Sequence, residues 1–173
     1  MQTFIEIVQI TVPALMVFLA TFFVMRGMIR NDQDKRRQEI ILLNSKTITP
    51  IRLQAYERIV LFLERISLES LLVRTNSPGM TASQLHSALL NTIRSEFEHN
   101  LSQQIYMTQQ AWEVVKNARS NTIRLINTGF EKMEENSTAL DFSRRLLEQV
   151  MELEKEPTKT AIEYIKNEVA RLM

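Results

Sequence analysis

The chain has 173 residues, 45% hydrophobic and 24% charged, with 21 Lys and Arg against 20 Asp and Glu. It has no cysteine, which excludes a disulfide-stapled module and cysteine-ligated zinc or iron–sulfur chemistry. Three glycines cannot build a glycine-rich nucleotide loop, and a net charge of +1 argues against a nucleic-acid binder that works through its whole surface.

The first element is an apolar run. From Ile7 to Met25 the chain reads IVQITVPALMVFLATFFVM, without a charge, between Glu6 and Arg26. At ~1.5 Å per residue this run just spans a ~30 Å hydrocarbon core, so residues 7–25 are expected to form a transmembrane helix. A cleaved signal peptide needs a basic segment before the apolar run and small residues after it. Here no Lys or Arg precedes the run, and Arg-Gly-Met-Ile-Arg follows it, so the expected segment is a permanent anchor. Arg26, Arg30, Lys35, Arg36 and Arg37 follow within a few turns. Positive charge stays on the cytoplasmic side, which places residues 1–6 outside and 26–173 in the cytoplasm, at an inner membrane. Residues 26–58 carry eight Lys and Arg against four Asp and Glu, a net of +4. Those five basic residues are placed to meet anionic lipid headgroups.

Beyond the anchor the apolar spacing is helical, with no period-two run. The anchor helix is expected to continue to about Leu43, with a polar linker over Asn44–Thr49 that completes a juxtamembrane segment, 26–49. Pro50 suits the first turn of a new helix with Thr49 as its cap, opening a helical domain over 50–173. In that helix Ala55, Tyr56, Ile59, Phe62, Leu63 and Ile66 share one face. A short helical turn and a loop at Pro78-Gly79 follow. Thr81 then reads as an N-cap, with Gln84 as its capping-box partner. Leu85, Leu89, Ile93, Phe97, Leu101 and Ile105 recur every four residues. Such a row drifts ~40° per step, so this helix must cross several neighbours, be enclosed, or break near its end. A helix over 109–133 is expected to bury Trp112, Val115, Ala118, Ile126, Phe130 and Met133, with Gly129 loosening its last turn. Two more helices are expected over 139–155 and 158–172. Their stripes are Leu140, Leu147, Val150 and Leu153, then Ile162, Ile165, Val169 and Leu172. The expected fold is therefore all-α: one N-terminal transmembrane helix, then a cytoplasmic bundle of about five or six helices.

Catalytic equipment is missing from the sequence. There is no G-x-S-x-G and no set of Ser, His and Asp that reads as a triad. Glu96-x-x-His99 has the spacing used by di-iron bundles, but those need two such motifs and two further carboxylates. The other histidine, His86, lies about 220° round the same helix. A structural histidine is expected, and neither metal nor cofactor.

Three stretches are distinctive: PIRLQAYERIVLFLERI from Pro50 with Thr49 before it, PGMTASQLHSALLNTIRSEFEHNLSQQIY from Pro78, and AWEVVKNA from Ala111. Together they resemble a family of short, membrane-anchored, cytoplasm-facing helical proteins of Bacteroidota bacteria. The resemblance runs to about residue 130 and implies a compartment and an architecture, not a reaction. If its motifs are a functional surface, the matching polar residues are Arg52, Gln54, Tyr56, Glu57, Arg58, Glu64, Arg65, Arg94, Glu96, Glu98, His99, Asn100 and Gln103. The same residues could instead hold helices together through buried hydrogen bonds.

The expected function is a non-enzymatic, membrane-anchored scaffold or accessory subunit that binds another protein or itself. The alternatives are a stalk- or stator-like coupling subunit, a metalloenzyme using Glu96 and His99, and docking to ribosomes or nucleic acid through residues 26–58. No small-molecule substrate is expected.

Overall fold

Four of the helices begin at a Ser or Thr whose side chain accepts from a free backbone N–H of the first turn. The computed structural model describes the backbone of residues 2–172 and the side chains of 15–28, 36, 39, 42–43, 46 and 48–171. Six α-helices follow in order: α1 (Gln2–Arg65), α2 (Leu68–Thr75), α3 (Ala82–Asn100), α4 (Gln109–Glu131), α5 (Ala139–Met151) and α6 (Pro157–Leu172). A 3-10 helix over Leu101–Tyr106 connects α3 to α4. The fold is all-α, as the periodicity predicts.

The chain divides into two compact units, Met1–Thr49 and Pro50–Met173. In the first unit only helix is present among the described residues. The predicted linker over 44–49 and the helix start at Pro50 are corrected: α1 runs through both. The polar stretch contains no glycine, and Pro50 lies at an exposed position. Water can take up the carbonyl that the missing proline N–H leaves unpaired. No helix among the described residues is long and apolar enough to cross a membrane. Residues 7–14 of the predicted span, like Arg30, Lys35 and Arg37, lie outside the described side chains.

The second unit is built around one core. α4 packs against α3, α5 and α6, and α2 packs against α3 and α5. Tyr56, Ile59, Phe62, Leu63 and Ile66 of α1 enter this core together with Leu85, Leu89 and Ile93 of α3. The four-residue row on α3 resolves by breaking. Leu85, Leu89 and Ile93 are fully buried, Phe97 is half-buried, and Leu101 and Ile105 emerge on the 3-10 helix.

Two predictions on α5 and α4 are corrected. α5 buries Ala139, Phe142, Ser143 and Leu146, not the stripe of Leu140, Leu147 and Leu153, all three of which are exposed. Phe142 supplies the larger apolar surface and therefore sets which face turns inward. Gly129 loosens nothing: it is buried where α4 meets α5.

The loops before α3 and α5 pair with each other. Ala82 N–H donates to the Ser137 carbonyl at 3.0 Å, and Ala139 N–H donates to the Met80 carbonyl at 3.0 Å. Both helices start with a capping box, Thr81 with Gln84 and Thr138 with Asp141. The two helix–loop–helix arms thus share one joint, and Thr-Ala recurs at 81–82 and 138–139. Gly79 holds a positive φ of 83° at the tip of the first loop, a conformation glycine adopts without strain.

Candidate functional site

The polar residues singled out above fall into two sets. One set works inside the fold. Arg52 on α1 donates from Nε to the Tyr106 carbonyl at 3.1 Å, holding the end of the 3-10 helix. Tyr56, one turn on, is 1% exposed and donates its hydroxyl to Glu168 of α6. Thr108 donates to both oxygens of the same carboxylate, at 2.9 and 3.0 Å, while its own Oγ1 accepts from Ala111 N–H at the start of α4. One carboxylate therefore ties α1 and the first turn of α4 to α6. Burial pushes the Tyr56 hydroxyl above its ordinary pKa of 10.0, and the adjacent Glu168 carboxylate pushes it further the same way.

The direction of that shift sets a pH dependence. The folded state keeps the tyrosine proton to higher pH than the unfolded chain does. The stability it confers is complete below about pH 10 and is lost as pH rises through the folded value. Urea midpoints followed by the fluorescence of Trp112, the one tryptophan, are expected to fall as pH rises past about 10, and to fall less in Tyr56→Phe.

Glu96 also belongs to the inner set. Its carboxylate meets Arg65 at 3.3 Å and Arg74 at 3.4 Å, and Arg74 also donates to the Arg65 carbonyl at 2.8 Å, closing the end of α1. Asn100 donates to the Glu96 carbonyl at 2.8 Å, and Gln103 is buried. Gln54, Glu57, Arg58, Glu64, Arg94, Glu98 and His99 are exposed. The carboxylate of the Glu96-x-x-His99 motif is thus taken up by two guanidinium groups. Among the described residues no group of three or more His, Asp or Glu is placed to hold a metal ion. His86 stacks on Phe130 with centroids 4.2 Å apart, and its Nε2 lies 2.9 Å from Asn127 Oδ1.

Sequence reasoning missed Thr108, Glu156 and Glu168. Thr108 before Gln-Gln-Ala has the residue type of an N-cap and could have been found that way. Glu156 is 9% exposed and accepts from Leu68 N–H at 3.3 Å, capping α2 from 88 residues away. Neither its partner nor that of Glu168 has any local signal.

The paired loops enclose an open groove of about 740 Å³, lined by Leu72, Val73, Met80, Leu140 and Leu147 among others. Asp141, at the joint, has its carboxyl held below the usual range by the Thr138 hydroxyl and backbone N–H. In the first unit every described side chain from Leu15 to Met28 is exposed.

A family model described as a family of unknown function (DUF7935) matches residues 2–172. No curated protein and no solved structure matches the chain.

Proposed function

The chain belongs to this family of unknown function, and we propose that the protein is a membrane-anchored, non-enzymatic scaffold whose helical unit docks proteins at the cytoplasmic face of an inner membrane. One observation carries the reading. Leu15, Met16, Val17 and Phe18 are between 62% and 69% exposed, and four consecutive residues point to all sides of a helix. Phe22, Phe23, Val24 and Met25 continue the pattern, each about half exposed or more. A helix apolar all round is stable when buried or in lipid, because each such side chain left in water costs about 1.5–3 kcal/mol. The polar group within this stretch is satisfied locally: the Thr21 hydroxyl donates to the Val17 carbonyl at 2.8 Å, as a helix in hydrocarbon requires. Arg26 ends the stretch, and the basic residues after it, Arg30 and Lys35 to Arg37, orient the second unit toward the cytoplasm and its anionic lipid.

Vesicle flotation tests this reading. The full chain is expected to float with vesicles and to resist extraction by alkaline carbonate. A variant with Val17→Lys, Phe18→Lys and Phe22→Lys is expected to stay at the bottom of the gradient, since each lysine at the bilayer centre costs about 3 kcal/mol. A wild-type chain that is monodisperse in buffer without detergent and does not float would overturn the proposal.

The stalk-like alternative has one observation of its own: α1 is helix without interruption from Gln2 to Arg65. It predicts that the chain co-purifies in fixed stoichiometry with a larger membrane complex, whereas a scaffold is recovered apart from one.

A further inference from the structure

Among the described residues the outward face of α5 is left uncovered. Leu140 is 63% exposed, Leu147 42% and Met151 85%. At ~100° per residue these three and Arg144 lie within about 60° of one another, a straight ridge about 16 Å long. Glu148 borders the ridge on the Arg144 side, and Asp141 lies beyond it. Neither Arg144 nor Glu148 makes an ion pair among the described residues. An amphipathic helix with its wider apolar face in the core does not need a second apolar ridge for folding. Such a ridge marks an interface.

We propose that the occupant is a second copy of this chain, with two α5 helices crossing antiparallel about a two-fold axis. The pattern along the ridge selects this arrangement. In an antiparallel pair with two-fold symmetry, residues equidistant from the midpoint face each other. Leu140 with Met151 and Arg144 with Glu148 share a midpoint at about residue 146, within half a residue. One register therefore brings Leu140 onto Met151 of the second copy at both ends. It also brings Arg144 onto Glu148 of the second copy twice, on the same edge. Leu147, one residue from the midpoint, meets its own counterpart at the centre. A parallel pair would instead set Arg144 level with Arg144 and Glu148 level with Glu148 on opposite edges of the seam, so neither charge would meet an opposite one. The groove beside the ridge is open, so a helix can approach without displacing other elements: Leu140 and Leu147 line its wall opposite Val73, itself 79% exposed. This inference names the partner for the docking reading above. It does not depend on the membrane anchor, which flotation tests separately.

The chain has no cysteine, so introduced thiols are unique reporters. The test uses the full chain in detergent micelles and in vesicles under mild oxidation, with Trp112 emission verifying that each variant is folded. Leu147→Cys is expected to form a disulfide dimer by itself, because its counterpart lies across the axis within disulfide reach. Leu140→Cys alone and Met151→Cys alone are expected to remain monomeric, their counterparts being on the order of 15 Å away along the axis. A mixture of those two variants is expected to cross-link. Arg144→Glu is expected to weaken dimerisation about tenfold and Arg144→Glu with Glu148→Arg to restore it. Cross-linking of Leu147→Cys no faster than that of Glu163→Cys on α6 would overturn the proposal. So would dimers from Leu140→Cys alone that match those from the mixture, or a charge reversal that fails to rescue.

Discussion

Phe62→Ala is expected to destabilise the helical unit by about 4 kcal/mol, enough to remove a large share of the roughly 5–15 kcal/mol that holds a domain of this size. Phe62 is 1% exposed, and its ring lies 5.9 Å from Phe97. Phe97 in turn stacks on Trp112 at 5.6 Å, with the Arg119 guanidinium 4.2 Å above its ring. Truncation therefore opens a cavity at one end of an aromatic column that joins α1, α3 and α4, and no neighbour is free to fill it. The reporter is part of the column: Trp112 emission should lose its native environment at a lower urea concentration, with the midpoint temperature lower by about 15 °C. Leu61→Ala, next to it in the chain but 52% exposed, is expected to stay within about 0.5 kcal/mol of the wild type. Equal losses for the two would show that the column contributes nothing of its own.

Gly129→Val carries the second large effect, an expected loss of about 3 kcal/mol. A β-carbon at Gly129 would sit 2.7 Å from Leu146 Cδ2 and 2.8 Å from Gln149 Oε1. Leu146 is fully buried and cannot swing away. Alanine in a helix interior gains about 1 kcal/mol over glycine, so Gly129→Ala should lose less, on the order of 1 kcal/mol net. The cause can be isolated. Leu146→Ala alone should cost about 3 kcal/mol, and the double variant Gly129→Val with Leu146→Ala clearly less than the two losses added, because the valine fills the space the leucine vacates. Additive losses would mean that backbone strain, not the contact with Leu146, excludes larger residues.

These two sites also show what one sequence makes legible. Phe62 could be placed on a buried face because Ala55, Tyr56, Ile59, Phe62, Leu63 and Ile66 keep a 3.6-residue period, although Val60 and Leu61 widen the apolar face. Thr81 and Gln84 could be paired because a capping box is written in four consecutive residues. The stripe on α5 was misread because Leu140 and Leu147 keep the helical spacing as well as Phe142 and Leu146 do. Periodicity finds faces but does not say which of two faces turns to the core. Gly129 carried no sign of its role, since the requirement for a missing side chain resides in Leu146 and Gln149 on another helix. The break after Asn100 lay among the outcomes that the drift of a four-residue row allows. Of the polar cluster, Arg52, Tyr56, Arg65, Glu96 and Asn100 make contacts within the fold and Gln103 is buried; the partners of Tyr56 and Arg52, Glu168 and Tyr106, cannot be read from local pattern. The uninterrupted helix through Pro50 went against a local rule, at an exposed position where breaking that rule costs least.

The carboxylate of Glu168 has a consequence for synthesis. It closes hydrogen bonds to Tyr56, 112 residues earlier, and to Thr108, 60 residues earlier. Glu156 does the same for α2 across 88 residues. A nascent chain that ends before Glu156 thus leaves the Leu68 N–H at the start of α2 and the hydroxyls of Tyr56 and Thr108 without these partners. Helices one to five can form as they leave the ribosome, but the unit cannot lock until residue 168 has emerged. The apolar faces of the helical unit therefore stay open for most of translation. The order of synthesis thus leaves the closing of the core to the last helix.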